Sequence, residues 1–297
     1  MKPIKILIIK LGYSETLDPE IGRVVSLGDV LRTTPILSAL KDKYKDSHIS
    51  WLVSEKAEPL LHNNTYIDRL LVWDDFIPFQ LQMEKFDLLI NLEKVPGICA
   101  LSDMIEAWNK QGFRFNKDTG NYDGYEQGLE IINYINQKAI GKTSENCWQK
   151  SLIELLGLKW KEQNYCLGYQ PKTQEKYDIG LNFDVGSKWP QKAMPMETWE
   201  ELASILENKK YSCSWQEGLK SIYEYIDWIN SCRTIITHDS LGLHLALALN
   251  KRVIALFGPT TDDEICFNTD SYIIKAENND MKNIKIDSIL KGLQDVK

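Results

Sequence analysis

Asp239 and Ser240, followed at helical spacing by His244, stand between a β-branched run, Thr234 to Thr237, and an Ala/Leu-rich stretch that ends at Asn250. A second apolar run, Val253 to Phe257, closes on Gly258-Pro259. Strand, polar turn, helix and strand joined by short connections describe a parallel sheet. Ligands of such sheets sit at the carboxyl ends of the strands, where helix amino termini point N–H groups at anions. The amides of Ser240, Leu241, Gly242, Leu243 and His244 are therefore placed to hold a phosphate-bearing ligand. A plainer reading is N-capping by Asp239 or Ser240, worth ~1 kcal/mol, with His244 as a packed histidine. Asp29, after Gly28 at the start of another helical pattern, is a second carboxylate of interest. On its own residues it reads as an N-cap.

The elements that must position these groups repeat one pattern twice. Ile4 to Ile9 is a continuous apolar strand of the kind buried in parallel sheets. A long polar loop, residues 10 to 26, precedes its helix, and loops of that length are often functional. Pro35 breaks the helical pattern that runs from Val30 to Lys41. Strands are expected at His48 to Val53, Leu70 to Trp73 and Leu88 to Asn91, with a helix from Pro96 to Trp108. Glu126 to Gln137 and Trp148 to Leu156 read as amphipathic helices. Gln170 to Lys176 is polar and proline-bearing, and reads as a linker. The pattern then restarts with a strand at Asp178 to Phe183, a loop from Asp184 to Lys192, and a helix from Met196 whose first turns carry Glu197, Glu200 and Glu201. A strand at Tyr211 to Trp215, a helix at Ile222 to Ser231, an edge strand at Tyr272 to Lys275 and a closing helix at Ile284 to Leu293 complete the order. The expectation is an α/β protein of two Rossmann-like domains, 1–169 and 170–297, with parallel sheets facing across a cleft.

Composition narrows the partners. The 297 residues are 43% hydrophobic and 26% charged, the profile of a soluble globular protein. The net charge of −7 argues against broad nucleic-acid binding and against electrostatic adhesion to membranes. An anionic ligand must then be met by a few local basic residues. Six scattered cysteines without a metal-ligand spacing read as reduced thiols in a cytosolic protein. No apolar run approaches the ~18 residues of a membrane span, and Met1-Lys2-Pro3 leads into a strand rather than an export signal.

Three familiar chemistries are excluded. Gly141-Lys142-Thr143 resembles the end of a phosphate-binding P-loop, but Asn136 stands where that loop needs glycine. No Gly-x-Gly-x-x-Gly follows Ile9 or Phe183, which removes a nicotinamide dehydrogenase. Ser240 is no hydrolase nucleophile, because His238 occupies the required glycine position.

Three segments together resemble glycosyltransferase family 9, the heptosyltransferases. They are Leu27 to Pro35 (LGDVLRTTP), Lys188 to Pro195 (KWPQKAMP) with Trp199, and Asp239 to Ala246 (DSLGLHLA) with Phe257-Gly258-Pro259-Thr260. The resemblance spans nearly the whole chain and implies a GT-B fold, an amino-terminal acceptor domain and a carboxyl-terminal nucleotide-sugar domain. It implies an inverting, metal-independent enzyme, and no Asp-x-Asp motif for a divalent ion occurs. Asp29 becomes the general base; a helix amino terminus keeps such a carboxylate ionised and therefore weakly basic. Lys192 becomes the diphosphate contact, with Lys188 second and Gly186 and Ser187 in the same loop; Glu217 faces the ribose. The implied donor is ADP-heptose, and the implied acceptor a glycan or glycolipid of the lipopolysaccharide type. Lys94, Arg114 and the loop of residues 10 to 26 are its walls. The protein would be cytoplasmic, at most peripherally attached to the membrane, and without a cofactor. Another nucleotide sugar, or a silent sugar-nucleotide-binding module, are the alternatives. Leu241 departs from the family pattern, which has glycine there; in this chain glycine follows one residue later.

Overall fold

The structure is a computed structural model that describes residues 2–13, 24–139, 146–186 and 189–296. Part of the loop of residues 10 to 26, and both Ser187 and Lys188, lie outside the described residues. Two compact units divide the chain between Tyr169 and Gln170.

Unit 1 begins with β1 (Ile4–Ile9), then α1 (Leu27–Thr33), α2 (Pro35–Lys43) and β2 (Ser47–Val53). There follow α3 (Glu58–Leu61), β3 (Arg69–Val72), α4 (Ile77–Gln82) and β4 (Lys85–Asn91). The unit closes with α5 (Pro96–Met104), β5 (Glu106–Phe115), β6 (Tyr122–Gly124), α6 (Glu126–Ala139) and α7 (Trp148–Leu155). The sheet order is β3-β2-β1-β4-β5-β6, parallel except for β6, which pairs antiparallel with β5. Strand β1 sits at the centre, and its apolar run is buried on both faces. Ile6 and Ile8 enter one core with Trp51 and Phe113, while Leu7 and Ile9 enter the other with Leu52 and Leu89. That division follows from the two-residue period of a strand. Trp51 is fully buried, and its truncation to alanine would cost ~3–5 kcal/mol.

Unit 2 runs β7 (Tyr177–Asn182), α8 (Met196–Asn208), β8 (Cys213–Trp215), α9 (Ile222–Ser231) and β9 (Cys232–His238). It continues with α10 (Leu241–Ala248), β10 (Arg252–Phe257), β11 (Ser271–Lys275) and α11 (Ile286–Asp295). Its five strands are all parallel, in the order β11-β10-β9-β7-β8. Helix α10 is apolar all round, and six of its eight residues are buried. A helix of that composition belongs in a core rather than on a surface.

The elements depart from expectation in one region. The helix expected to reach Trp108 stops at Met104, and Glu106 already pairs with Lys85 as the first residue of β5. The open edge of β4 offers a ladder to Glu106 through Gly112, and sheet pairing overrides the local helical pattern. The β5–β6 hairpin, turned at Gly120 with φ +70°, and the short helix α4 were not foreseen. Pro35 does divide the first helical pattern, serving as the first residue of α2. The expectation of six reduced thiols holds for Cys99, Cys166, Cys213 and Cys232; Cys147 and Cys266 are not among the free thiols. No helix among the described residues is long and apolar enough to cross a membrane.

Candidate functional site

In each unit the strand order reverses at one point, between β1 and β4 in unit 1 and between β7 and β9 in unit 2. The crevice beyond the strand ends at such a reversal is where open α/β sheets bind ligands. The charged residues of this chain gather at both.

In unit 1, β1 ends at Ile9 and delivers Lys10; β4 ends at Asn91 and delivers Glu93 and Lys94. All three are buried. Lys10 Nζ lies 3.4 Å from Glu93 Oε1, and the same oxygen accepts the Gly12 amide at 2.7 Å. Burial raises the pKa of Glu93, opposed by Lys10 and by the amides of Gly12 and Leu11, and the outcome is above the usual carboxylate range. Asn91 locks the turn, donating to Phe113 O at 2.8 Å and accepting the Glu93 amide at 3.1 Å. Lys94 Nζ stands over the rings of Phe113 and Tyr122 at 5.5 and 5.6 Å, a cation–π arrangement. Lys10, Asp29, Arg32 and Thr33 line a concavity together with Leu92, Phe113, Ile131, Trp148 and Leu152.

Asp29 is not an N-cap. Ser26 takes that place without a side-chain cap, and Asp29 is the third residue of α1. Its carboxylate pairs with Arg32 at 2.8 Å, one turn on, and Arg32 lies 5.8 Å from the Trp148 ring. The group expected to act on a proton is thus half-buried, charge-paired and directed into a concavity.

In unit 2, β9 ends at His238 and α10 starts at Leu241, so a two-residue turn carries Asp239 and Ser240. Lys192, in a 3₁₀ turn from Pro190 to Lys192, donates to Asp239 Oδ2 at 2.6 Å and to Asp239 O at 3.3 Å. Burial raises the Asp239 pKa, but Lys192 and His244 outweigh it, and the carboxyl titrates below its ordinary range. His238 is fully buried, which drives its pKa down to about 3 against the pull of Asp239. The ring is therefore neutral, and its Nε2 accepts the Met194 amide at 3.0 Å while Trp199 packs edge-on at 5.3 Å. That bond ties the loop bearing Lys192 to the end of β9.

Ser240 is the N-cap residue of α10 by backbone geometry, yet its side chain caps no amide. Its Oγ accepts from Asn182 Nδ2 at 3.3 Å instead. Asn182, fully buried at the end of β7, also donates to Thr237 Oγ1 at 2.9 Å and accepts from the Tyr225 hydroxyl. This cluster accounts for the displaced glycine. A Cβ at position 242 would meet Asn182 Nδ2 and the Tyr225 hydroxyl, each at 2.5 Å. A side chain at 242 would force Asn182 or Tyr225 to shift, whereas Leu241 is only half-buried.

The remaining expected site residues are more scattered. Gly186, at φ +71°, is exposed and donates its amide to Asp184 Oδ1 at 2.9 Å in an Asx turn. Ser187 and Lys188 lie outside the described residues. Glu217 is exposed beyond β8 with its amide on Trp215 O at 2.9 Å. Leu243 and His244 are buried within α10, and the Leu243 amide turns back onto Ser240 O at 3.2 Å. Arg114 pairs with Asp123 across the β5–β6 hairpin at 3.2 Å. Sequence reasoning did not single out Lys10, Glu93, Asn182, Tyr225 or His238. The available signal was position: Lys10 and His238 each directly follow an apolar run, and Asn182 is the polar last residue of β7.

A sequence model of glycosyltransferase family 9 (heptosyltransferase) matches residues 218–294, from α9 through α11. Lipopolysaccharide heptosyltransferase 1 of Campylobacter coli is 24% identical over 295 residues, covering 83% of this chain and 85% of that protein. The chain is similar to the heptosyltransferases of glycosyltransferase family 9, in unit 2 by the family model and over most of its length by this relative. Solved structures share its fold. Escherichia coli ADP-heptose lipopolysaccharide heptosyltransferase II superposes with a TM-score of 0.72 at 15% identity, over 98% of each chain. E. coli heptosyltransferase WaaC with ADP gives 0.66 at 14%, over 99% of this chain and all of that one. The matched segment includes Asp239 and His244, so the family signal falls on the unit 2 switch point.

Proposed function

We propose that this transferase is an inverting, metal-independent enzyme that moves heptose from ADP-heptose to a lipopolysaccharide-type acceptor at the cytoplasmic face of a membrane. The observation that carries the reading is Lys192 seated on Asp239 at the amino end of α10, at the reversal of strand order. An ammonium has three donors, and two of them are aimed at Asp239. The third, with the Leu241 and Gly242 amides and the helix dipole, suits a diphosphate that gains charge as the sugar leaves. Unit 2 (170–297) then binds the donor, with Glu217 at the ribose and Gly186, Ser187 and Lys188 in the adjoining loop.

Unit 1 (1–169) receives the acceptor, and Asp29 takes the proton of the attacking hydroxyl. The hydroxyl becomes acidic as the new glycosidic bond forms, so a weakly basic carboxylate suffices. The C. coli relative is a lipopolysaccharide heptosyltransferase, and the E. coli structures were solved as ADP-heptose enzymes or with ADP. These names support the donor and acceptor proposed.

A thermal-shift panel of ADP-, GDP- and UDP-linked sugars, repeated with a chelator, tests the reading. A ligand that binds only the folded state raises stability by mass action. Selective stabilisation by the ADP sugar, unchanged by chelation, is expected. Selective stabilisation by a GDP or UDP sugar would replace the donor, and loss of turnover on chelation would remove metal independence.

A further inference from the structure

The geometry points to Glu93 as a positioning residue that holds the start of α1, and so Asp29, at the unit 1 switch point. The chain of contacts is continuous. Glu93 Oε1 accepts the Gly12 amide at 2.7 Å, Gly12 O accepts the Ser26 amide at 2.6 Å, and Ser26 is the N-cap of the helix that carries Asp29 in its first turn. Gly12 sits at φ +94°, and a Cβ there would stand 2.8 Å from Val30 Cγ2 and 3.1 Å from Ser26 O. Only glycine takes this conformation in this space. Residues 13 to 25 are thereby bracketed: whatever their length, the chain leaves at Gly12 and returns at Ser26 to a point fixed by one carboxylate.

Glu93 is itself anchored. Its amide is held by Asn91 Oδ1, its carbonyl accepts from Asn91 Nδ2 at 3.2 Å, and its side chain is buried against Lys10. The Gly12 amide lies closer to the carboxylate than Lys10 does, 2.7 against 3.4 Å. Hydrogen bonding to Gly12, rather than pairing with Lys10, is therefore the function assigned to this carboxylate. Misplacement of a reacting group by about 1 Å can cost of the order of a hundredfold in rate.

This inference rests on Asp29 as the base. Two variants separate reach from charge. Glu93→Gln keeps an oxygen for the Gly12 amide and removes the charge. Glu93→Asp keeps a charge for Lys10, sparing the fold, but withdraws the oxygen by one methylene. Turnover, acceptor KM, ADP affinity by calorimetry and melting temperature are measured for both, with Asp29→Asn alongside. The expected result is at least a fivefold lower kcat for Glu93→Asp than for Glu93→Gln, with ADP affinity unchanged in both. Turnover in Glu93→Asp equal to or above that of Glu93→Gln, or within twofold of the parent, overturns the positioning role. Turnover retained in Asp29→Asn overturns the base itself, whatever the Glu93 variants do.

Discussion

The two switch points solve the same placement problem with different materials. Unit 2 uses a two-residue turn, so the end of β9 and the amino end of α10 are fixed by covalent proximity, and backbone amides do much of the work. Unit 1 separates the end of β1 from α1 by a long loop, and there buried side chains, Glu93 on Gly12 and Asn91 on its neighbours, do what chain length cannot. A short turn yields a site that is rigid by default and suited to holding a charge. Where strand end and helix start are not joined by a short turn, the carboxylate at the start of α1 must be held from elsewhere. The comparison teaches that changes in unit 1 should strike turnover, and changes in unit 2 should strike donor binding and stability.

Removing the proposed base is the severest test of that division. Asp29→Asn should lower kcat by about 10²–10⁴, the usual share of a general base, while calorimetry shows ADP affinity unchanged. Near-normal turnover would break the comparison on the unit 1 side. Lys192→Ala should do the reverse. Loss of a charge-assisted contact of ~1.5–3 kcal/mol weakens ADP binding by about tenfold or more, and equal affinity for parent and variant would remove Lys192 from the site.

Gly242→Ala tests the packing of unit 2. The added methyl must displace Asn182 or Tyr225, and overpacking of this kind costs ~1–3 kcal/mol. A lower melting temperature with weaker ADP binding is expected; an unchanged melting curve would mean that the Asn182 cluster is soft.

The smallest effects are those of pH. His238 has a folded pKa near 3, below its unfolded value, so the folded state binds fewer protons. The stability this contributes is complete above about pH 6.5 and is lost progressively as pH falls toward about 3. Asp239, also lowered, contributes stability present above its ordinary carboxylate value and lost only as pH falls through its depressed one. Nuclear magnetic resonance should find the His238 ring neutral throughout pH 5–8. A ring titrating near 6.5 would show that Met194, and the loop carrying Lys192, are not held as the structure has them.

Much of the fold was legible because parallel strands buried on both faces are continuous apolar runs. Ile4 to Ile9 and Val253 to Phe257 announce themselves, and Pro35 marks the division of α1 from α2. The helix that should have reached Trp108 failed for the opposite reason. Its local pattern is overridden by a partner strand that no neighbouring residue encodes. The candidate donor site was legible at Asp239, Ser240 and Gly242 because strand, turn and helix are contiguous in sequence. Asp29 was legible as a residue, but its environment was read wrongly: Ser26 is the N-cap, and Arg32 and Trp148 are its surroundings.

By itself the sequence determined the α/β class, the restart of the pattern after the polar segment at Gln170, and the residue types able to meet an anion. These follow from local period and composition. Only the tertiary structure decided that Lys10 and Gly12 meet at one oxygen of Glu93, that Lys192 reaches Asp239, and that Asn182 and Tyr225 crowd position 242. Each of those joins residues far apart in the chain, and contacts of that kind exist only once the sheet order has brought the strand ends together.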